Sequence, residues 1–558
     1  MSAVTLDRLV RPGGERVPGT LDPDAVRVSV SATARAVHAR GGGDWLIHEN
    51  DPFRFVVGLY GTVLGRGSAV LLPDVGPATV EAAGGRAATR LGEGGMDVLA
   101  LAAEGGDGGP PDVAPGTVIT LTSGSTGERK RLTRRLEHLL GEADALDARW
   151  PRGEACITAS MVSSHHMYGL MFAVVWPLAR GDRVLAAPIS PAPDFAALEI
   201  GERRPLTLVT SPSYLHRMRA SLAMARFEDA AGRPVNVVRL FSAGAPLDPD
   251  AARFAAAHLD CQVNEIYGST ETGAVAARRG DAGERWRALP GVALCERDGH
   301  LEIDAPYAAL ELPRPYASAD RVRFEDDGFE LLGRSDRVVK VEGRRVSLQS
   351  VEDAARRVGG VIDSVAGVGP DGRVALAAVL DEAGTGRLHA DGKATMDGEL
   401  RAALGRELEA VAVPRRVRFL GRVPRDSHGK VRAGALDAVF AADARSRPTV
   451  HGESRRDGWL LIELALDPDL AAFTGHFPGF PVLPGVALVH WAACFAETGL
   501  GVRASASRLE DVKFMSILAP GDELTLSLRN SRRGIEFRYH RAGVVCAKGR
   551  IVVDEPRD

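Results

Sequence analysis

The chain has 558 residues, of which 45% are hydrophobic and 25% are charged, and its formal net charge is −4. This composition is typical of a soluble globular protein too long for one hydrophobic core, and it gives no support for nucleic-acid binding or a polybasic membrane anchor. Five scattered cysteines without a CxxC pair disfavour a disulfide framework and a zinc site, so we expect a reducing, cytoplasmic compartment. Because no apolar run approaches about twenty residues, we expect no membrane span.

Apolar strand-like runs alternate with amphipathic stretches over about residues 35–210. Such alternation indicates βαβ units and a mostly parallel sheet. Residues 299–343 change to short alternating segments divided by Gly, Asp and Pro, which predict β-hairpins. A smaller α+β block follows to about residue 439, and its Gly- and Asp-rich stretch 381–398 is interpreted as a solvated loop.

Residues 441–458 are short of apolar side chains and rich in charge, which predicts an interdomain linker. After it, residues 459–466 (WLLIELAL) have the pattern of a strand and residues 486–499 (VALVHWAACFAETG) that of an apolar helix, and alternating strands follow. The sequence therefore predicts an α/β protein with a large layered N-terminal domain (1–336), a small α+β domain (337–440), the linker (441–458) and a final α+β domain (459–558).

A loop built to hold phosphate follows an apolar strand-like segment, residues 116–121. Its sequence, LTSGSTGERK over residues 121–130, combines glycines, hydroxyl side chains and a terminal lysine. Glycine lets backbone N–H groups crowd around an anion, the hydroxyls add donors and the lysine adds charge. The alternative is a flexible Gly/Ser turn, and the GxxxxGK[ST] spacing of a simple NTPase is absent. The candidate phosphate-binding residues are Thr122, Ser123, Gly124, Ser125, Thr126, Gly127 and Lys130.

Further motifs follow in order: SAGAPL (242–247), YGSTETG (267–273), GRSDRVVKVEGRRV (333–346) and PRDSHGKVR (424–432). With the phosphate loop they resemble the adenylate-forming superfamily of acyl- and aryl-CoA ligases, luciferases and peptide-synthetase adenylation domains. The resemblance covers about residues 35–439. It implies that the N-terminal domain binds ATP and Mg²⁺ and that residues 337–440 are a mobile lid.

The chemistry explains these residue types, because a carboxylate that approaches the α-phosphate of ATP is repelled unless cations and fixed donors neutralise the charge. The resemblance implies that Thr270 donates to the α-phosphate and that Glu271 holds Mg²⁺. It also implies that Asp320 and Arg334 bind the ribose. The segment YASAD (316–320) departs from the usual Tyr-x-Thr-Gly-Asp at Ser318 and Ala319, and an ion pair is the structural alternative for Arg334. Further nucleotide contacts are assigned to Gly244, Ala245 and Tyr267.

Lys430, in SHGKVR, is the lysine that the resemblance assigns to the substrate carboxylate, the α-phosphate and the ribose oxygen; by itself, a lysine beside glycine is usually a solvated surface charge. Asp336 matches the hinge on which the lid rotates after adenylation. Residues 339–345 (VKVEGRR) then face the acceptor thiol, which is either coenzyme A or the phosphopantetheine of an acyl carrier protein.

The acid pocket is assigned from a second set of matches to aryl- and acyl-CoA ligases. His166, in SSHHMYGL (163–170), matches a pocket histidine, although a histidine in an apolar segment is often only a satisfied core residue. No aspartate in this segment or in residues 241–244 is available for an α-ammonium group, which favours an aryl or other small carboxylic acid over an amino acid. The other pocket candidates are Ser211, Tyr214, Ser242, Ala243, Gly244 and Gly268.

The segment GHFPGFPVLPG (475–485), followed at once by the apolar helix, resembles the β-hydroxyacyl carrier-protein dehydratases, whose hotdog fold wraps a sheet around one helix. His476 matches the base that removes the α-proton, and Gly485 matches the backbone N–H that polarises the thioester carbonyl. His490 departs from the family, which has Asp or Glu at that position. Because hotdog domains usually pair, the resemblance also implies a homodimer.

The two resemblances together imply a bifunctional enzyme, a ligase and a dehydratase of one thioester pathway, with an acyl carrier protein as a partner. Aryl polyene pigment clusters place such enzymes side by side, which makes that pathway a natural assignment. The alternatives are a ligase whose hotdog domain is a thioesterase or a non-catalytic dimerisation or carrier-docking module, and a ligase half that has become a simple binder. The presence of the candidate ATP-site residues together argues against the last alternative. These residues are Lys130, Glu271, Asp320, Arg334 and Lys430.

Overall fold

The structure is a computed structural model of the whole chain. It describes residues 6–12, 17, 19–75, 77–84, 88–122, 130–151, 153–186, 205–212, 214–215, 235–342, 344–425, 431, 434–456, 458–474, 480–502, 508–531 and 533–552. The described residues divide into two compact units, one up to Leu332 and one from Gly333 onward. Among the described helices, none combines the length and the apolar character needed to cross a membrane.

The first sheet of the first unit has the strand order β3-β1-β2-β4-β5. All its pairings are parallel except that of β4 with β5, which is antiparallel. This confirms the predicted βαβ organisation, and the apolar run at residues 117–121 is a buried strand as expected. The strands are Gly43–His48 (β1), Gly67–Leu71 (β2), Thr89–Gly92 (β3), Thr117–Leu121 (β4) and Arg131–Arg135 (β5).

The second sheet has the order β12-β11-β10-β9-β8-β6-β7. Strands β6 to β10 pair in parallel, and β11 and β12 add antiparallel strands at one edge. The strands are Ile157–Ser160 (β6), Arg183–Val184 (β7), Leu206–Thr210 (β8), Val237–Ser242 (β9), Gln262–Ser269 (β10), Gly273–Arg279 (β11) and Arg287–Ala288 (β12).

The predicted hairpins follow as an antiparallel sheet of order β13-β14-β15-β16. Its strands are Ala293–Arg297 (β13), His300–Asp304 (β14), Tyr316–Glu325 (β15) and Gly328–Arg334 (β16). Residues 338–347 form a further hairpin, whose strands are Val338–Val341 (β17) and Arg344–Ser347 (β18).

The helices of the first unit begin where the sequence supplies caps. Asp22, Asp51 and Asp248 each precede a proline, and each accepts hydrogen bonds from the first turn of its helix. Aspartate satisfies unpaired N–H groups there, and proline suits the first helical position because it has no N–H to satisfy. The helices are Leu6–Leu9 (α1), Pro23–Ala39 (α2), Pro52–Leu64 (α3), Pro77–Ala83 (α4), Val98–Gly105 (α5), Leu136–Arg149 (α6), Met167–Gly169 (α7), which continues through a π-helical stretch Leu170–Val175 into Trp176–Arg180 (α8), and Pro249–Leu259 (α9).

After the β17–β18 hairpin, the second unit continues with a sheet of order β19-β20-β21 and its helices. The stretch 381–398, interpreted as a solvated loop, is instead helical. Asp381 caps the first helix by accepting from Gly384 N–H, and buried Leu388 and Met396 pack into the core, which the sparse apolar pattern concealed. The elements are Leu348–Arg356 (α10), Val361–Val368 (β19), Val374–Leu380 (β20), Glu382–Asp391 (α11), Lys393–Leu404 (α12), Arg416–Leu420 (β21) and Ala435–Phe440 (α13).

The last part of the chain is an antiparallel sheet of order β22-β23-β25-β26-β27-β24 packed on one apolar helix. Strand β22 lies within residues 441–458, so the predicted linker was wrong for that portion. Its polar sequence, TVHGESRR, belongs to an edge strand that pairs only with β23. The elements are Thr449–Arg456 (β22), Trp459–Ala465 (β23), Gly485–Leu500 (α14), Leu509–Phe514 (β24), Glu523–Ser531 (β25), Gly534–Arg541 (β26) and Val544–Ile551 (β27).

A buried ionic cluster joins β21 to the loop after β23. Arg418 Nε donates to both carboxylate oxygens of Asp469, at 2.9 and 3.1 Å, and Arg418 Nη2 lies 3.5 Å from Asp467 Oδ2. Both aspartates also accept backbone N–H groups, from Phe419 at 3.1 Å and from Gly421 at 3.0 Å. Residues predicted to belong to separate domains therefore share one interior within the second unit.

Two carboxylates facing one guanidinium cannot both be neutralised. Arg418 donates its shorter hydrogen bonds to Asp469. Burial raises the pKa of Asp467 to about 7. An aspartate in the unfolded chain ionises near pH 4, so between about pH 4 and 7 the folded state holds the extra proton. The contribution of Asp467 to the free energy of unfolding is therefore largest below about pH 4 and decreases as the pH rises toward 7.

We expect Asp467→Asn to flatten this pH dependence, because an amide does not titrate. The measurement is native-state hydrogen exchange of the β21 amides, corrected for intrinsic rates, between pH 5 and 7.5. The control is Asp437→Asn, which removes an exposed acid from α13 of the same unit and should keep the slope. Identical pH profiles in Asp467→Asn and the unmutated chain would contradict the assignment.

Candidate active sites

Four of the predicted segments meet at one edge of the second sheet. The register pairs Ser160 with Val209, Thr210 with Ser242, and Ser242 with Glu265, so β6, β8, β9 and β10 end at the same side. Ligands of open parallel sheets bind beyond the carboxyl ends of their strands. The structure therefore brings the segments after these strands together. The segments are SSHHMYGL after β6, Ser211 to Tyr214 after β8, SAGAPL at the end of β9 and YGSTETG at the end of β10.

The phosphate loop is closed at its base by two hydrogen bonds. Thr122 N–H donates to the Lys130 carbonyl at 3.0 Å, and Lys130 N–H donates to Thr122 Oγ1 at 3.2 Å. The loop therefore connects two paired strands, β4 and β5, and its lysine is exposed at their end. The predicted contacts Ser123, Gly124, Ser125, Thr126 and Gly127 lie outside the described residues.

Two of the predicted adenosine contacts, Tyr267 and Asp320, are adjacent. Tyr267, at the end of β10, donates its hydroxyl to Asp320 Oδ2 at 2.7 Å, and Asp320 N–H donates to Ser318 Oγ at 3.1 Å. The serine that departs from the family pattern thus supports the backbone of the aspartate. Gly244 is exposed with a φ of +93°, a left-handed conformation that favours glycine, and Ala245 follows it half-buried.

Thr270 and Glu271 lie half-buried in the turn between β10 and β11, beside exposed Gly268. The carboxylate of Glu271 makes no hydrogen bond or ion pair within the described residues. No described cluster of three or more His, Cys, Asp and Glu side chains is arranged to hold a metal ion by itself. A nucleotide-bound Mg²⁺ typically takes one or two protein carboxylates and completes its shell with phosphate and water, so a single uncommitted carboxylate fits it.

The two histidines of SSHHMYGL have different environments. His165 is 4% exposed, accepts from Glu49 N–H at 3.0 Å, stacks on His48 and contacts Ser163 Oγ at 2.9 Å. Burial and the neighbouring His48 lower its pKa to about 3, so it is a neutral core residue. His166 is half-buried at the start of α7.

The remaining pocket candidates line the ends of β8 and β9. Ser211 and Ala243 are buried, and Tyr214 is half-buried one turn after Ser211. Ser242 is 1% exposed, and its Oγ has no hydrogen-bond partner among the described residues. A buried hydroxyl without a partner is costly, which distinguishes this position from an ordinary hydrogen-bonded serine.

The predicted ribose contact Arg334 and the predicted hinge Asp336 lie at the start of the second unit. Arg334 is the exposed last residue of β16, and Asp336 lies in the 3₁₀ turn Ser335–Arg337 that follows. Arg337 forms a 2.6 Å ion pair with buried Glu352. Lys430 lies outside the described residues, between the bridged residues Arg425 and Val431.

The hotdog residues lie at the start of α14. Gly485 begins the helix, and a Cβ there would stand 2.6–2.8 Å from the ring of Phe514, so glycine permits a close approach. No described residue accepts a hydrogen bond from Gly485 N–H, which leaves it available to an oxygen atom. His490 is exposed on the same helix, with its Nε2 3.7 Å from Cys494 Sγ. His476 lies outside the described residues.

Sequence reasoning missed two residues next to the nucleotide segments, Arg134 and Glu142. Both are 1% exposed; Arg134 donates to the Thr270 and Glu271 carbonyls, and Glu142 accepts from Ala274 N–H at the start of the following strand, β11. Arg134 and Arg135 are adjacent arginines in the string RLTRR, so no local signal separates buried Arg134 from its exposed neighbour.

Comparisons with known proteins support both resemblances. A family profile described as AMP-binding enzyme matches residues 87–299, and one described as ApeI dehydratase matches residues 452–550. A protein named 4-coumarate–CoA ligase from Cereibacter sphaeroides is 31% identical over 318 residues, 56% of this chain and 69% of that protein. An isonitrile lipopeptide synthase from Streptomyces coeruleorubidus is 40% identical over 141 residues, 24% of this chain and 9% of its own length.

A solved structure shares the fold. The crystal structure of ATP-bound MatB from Rhodopseudomonas palustris aligns with a TM-score of 0.63 at 20% identity, over 79% of this chain and 99% of that one. The predicted combination of an adenylate-forming α/β fold with a C-terminal hotdog domain, whose sheet is antiparallel, is confirmed.

Proposed function

The chain belongs to the AMP-binding enzyme family and carries an ApeI-like dehydratase domain, and from this premise we propose a bifunctional enzyme of thioester metabolism. Its N-terminal part activates a small carboxylic acid as an acyl-AMP and transfers the acyl group to a thiol. Its hotdog domain dehydrates a 3-hydroxyacyl thioester. The observation that carries the first activity is the meeting of the acid-pocket segments with SAGAPL and YGSTETG at the carboxyl ends of the parallel strands β6, β8, β9 and β10.

Acid activation needs one bond to form and one to break at the α-phosphorus. An oxygen of the substrate carboxylate attacks the α-phosphorus of ATP, and pyrophosphate leaves. In our proposal, the phosphate loop with Lys130 holds the leaving phosphates, the Thr270 hydroxyl donates to an α-phosphate oxygen, and Lys430 neutralises the charge between the two anions. Tyr267, Asp320 and Arg334 hold the adenosine.

Glu271 would hold Mg²⁺, which, when bound, offsets the negative charge of the phosphates. In the second step, a thiolate attacks the acyl carbon and AMP leaves. We propose that residues 337–440 rotate about Asp336 between the two steps, which removes Lys430 from the acyl-AMP and gives the thiol access.

We propose an aryl or other small apolar acid as the substrate. 4-Coumarate, in the name of the Cereibacter relative, carries an aromatic ring. The pocket segments offer His166, Tyr214 and the Ser242 hydroxyl, and neither SSHHMYGL nor residues 241–244 contain an aspartate for an ammonium group. We propose a carrier-protein phosphopantetheine as the acceptor, with coenzyme A as the alternative; the match to a lipopeptide synthase favours the former and the match to a CoA ligase the latter.

Dehydration of a 3-hydroxyacyl thioester removes the α-proton and the β-hydroxyl as water. We propose that His476 takes the proton, that Gly485 N–H donates to the thioester oxygen at the start of α14, and that His490 protonates the departing hydroxyl. An imidazolium can donate a proton near neutral pH, so histidine is chemically able to replace the usual acid. The two activities together fit a pathway that starts from an aryl acid and dehydrates each extended thioester, such as aryl polyene synthesis.

A second candidate for the hotdog domain is a thioesterase or a non-catalytic dimerisation or carrier-docking module. The observation behind it is that His490 replaces the family acid and is exposed. The two candidates differ in whether water is removed from the substrate.

We propose that the chain forms a homodimer through the hotdog domain. Strand β24 is at the edge of its sheet, and the apolar side chains of Phe514, its last residue, and of Ile517, three residues further on, are at least half exposed. We expect a mass near twice 59.1 kDa by sedimentation and a shift to monomer in Ile517→Asp, because burying a carboxylate at an interface is unfavourable. Val544→Asp, at an exposed position of the β26–β27 hairpin, should remain dimeric; a monomeric unmutated chain refutes the proposal.

The function is tested with the full chain in two assays. Pyrophosphate release is measured with ATP and a panel of aryl and fatty acids, with coenzyme A and with a carrier protein; release without acid, or equally with every acid, contradicts a selective ligase.

Water loss is measured on 3-hydroxyacyl thioesters with the unmutated chain, His476→Ala and His490→Ala. No dehydration by the unmutated chain refutes the dehydratase, and thioester hydrolysis in its place supports the second candidate.

A further inference from the structure

A buried arginine and a buried glutamate adjoin the nucleotide segments. Arg134 lies on β5, the strand that begins directly after Lys130 of the phosphate loop, and Glu142 lies on α6, the next element. Arginine and glutamate are almost never fully buried unless they are paired, so their contacts indicate their role.

Arg134 binds the backbone of the two residues proposed to act on the α-phosphate and on Mg²⁺. Its Nη2 donates to the Thr270 carbonyl at 2.7 Å and to the Glu271 carbonyl at 2.8 Å. Its Nε donates to the Tyr307 carbonyl at 3.2 Å. One rigid guanidinium therefore spans the distance from the strand of the phosphate loop to the Thr270–Glu271 turn.

Glu142 supports the same turn from its other end. Its Oε1 accepts from Ala274 N–H at 2.9 Å. Gly273 has a φ of +73°, and a Cβ at this residue would lie 2.4 Å from Glu142 Oε2. The carboxylate thus packs directly against the backbone where the turn enters β11.

Neutral contacts also hold this turn. Ala309 N–H donates to the Glu271 carbonyl at 3.0 Å, and the Tyr307 hydroxyl donates to the Ala274 carbonyl at 2.6 Å. Two buried ionisable side chains are a poor way to add stability, because removing an ion from water costs several kcal/mol and apolar side chains would pack as well. Burial raises the pKa of Glu142 to about 7. Arg134 and Glu142 nevertheless hydrogen-bond to the backbone of Thr270, Glu271 and Ala274. We therefore interpret their role as fixing the position of the turn.

We propose that Arg134 and Glu142 are positioning residues that fix the Thr270–Glu271 turn relative to the phosphate loop. The Thr270 hydroxyl and the Glu271 carboxylate then meet the α-phosphate and the metal without rearrangement, which is the condition for effective electrostatic stabilisation. The inference rests on the proposed adenylation site, and it concerns residues outside the motifs that identify that site.

The test changes the reach of each side chain while keeping its charge, in Arg134→Lys and Glu142→Asp. Equilibrium binding of ATP to the full chain is measured over a range of Mg²⁺ concentrations. We expect the Mg²⁺ concentration at half-maximal binding to rise about tenfold, because loss of a charged hydrogen bond displaces the metal ligand. The matched control is Arg135→Lys, at the exposed neighbouring position on β5, which should keep the unmutated midpoint.

A purely structural role would lower the fraction of binding-competent protein without moving this midpoint. The proposal is overturned if the folded variants reach half-maximal ATP binding at a Mg²⁺ concentration within twofold of that of the unmutated chain. If one variant does not fold, the result for the other variant is used. Absence of Mg²⁺-dependent ATP binding by the unmutated chain also overturns it. Intact ATP binding without acid-dependent pyrophosphate release overturns the proposed adenylation alone.

Discussion

Lys430→Ala is expected to slow acyl-adenylate formation about 100- to 1000-fold, the usual cost of removing one charge-stabilising group from a reaction centre. The carboxylate and the α-phosphate are both anions, and in our proposal Lys430 lies between them in the transition state. Because that contact strengthens as the new bond forms, the rate constant should fall more than the affinity for ATP. The measurement is single-turnover pyrophosphate release with a saturating acid.

The second half-reaction distinguishes this role from general damage. When acyl-AMP is supplied, transfer to the thiol should proceed near the unmutated rate, because Lys430 is proposed to leave the site before that step. Lys548→Ala removes an exposed lysine from β27 and serves as the matched control, with both half-reactions unchanged. If Lys430→Ala slows adenylation and thiol transfer equally, the proposal that Lys430 acts only in adenylation is wrong.

The largest stability effect is expected for Arg418→Leu, about 3–5 kcal/mol, the range for breaking a buried ion pair. The substitution leaves Asp467 and Asp469 facing each other at 0% and 3% exposure without their common cation. Native-state hydrogen exchange of the Phe419 and Gly421 amides reports the loss directly, because both N–H groups donate to these carboxylates.

Arg422→Leu is the matched control, since Arg422 follows β21 and pairs with Glu463 and Glu523 while a third of its side chain remains exposed. Solvent screening limits such pairs to about 0–1 kcal/mol, so a small effect is expected. A cost below about 1 kcal/mol for Arg418→Leu as well would mean that the cluster does not stabilise the second unit.

The recognition of both families from short motifs has a local cause. A phosphate loop, the YGSTETG turn and the start of a helix after proline are defined by glycine, hydroxyl and charged residues within a few positions of one another. The structure accordingly places Thr122, Thr270, Glu271 and Gly485 at strand ends, turns and a helix start.

The errors arose where polar sequence was equated with loop. Residues 449–456 are polar because β22 is an edge strand with a neighbouring strand on one side. Residues 382–404 are poor in apolar side chains because a few of them, such as Leu388 and Leu400, are sufficient to pack two helices against the core. Pairing partners and packing faces are supplied by distant parts of the chain, so local composition does not contain them.

By itself, the sequence determined the class of the protein, the order of its parts and the chemical identity of the candidate site residues, since these depend on residue types at short spacing. Only the tertiary structure decided that Arg134 and Glu142 support the Thr270–Glu271 turn, that His165 is a core residue while His166 stays half-buried, and that Arg418 joins two predicted domains. The reason is physical: the role of a charged or titratable side chain is set by its burial and its partners, and the partners of Arg134, Glu142 and Arg418 named above are 49 to 173 residues away in the chain.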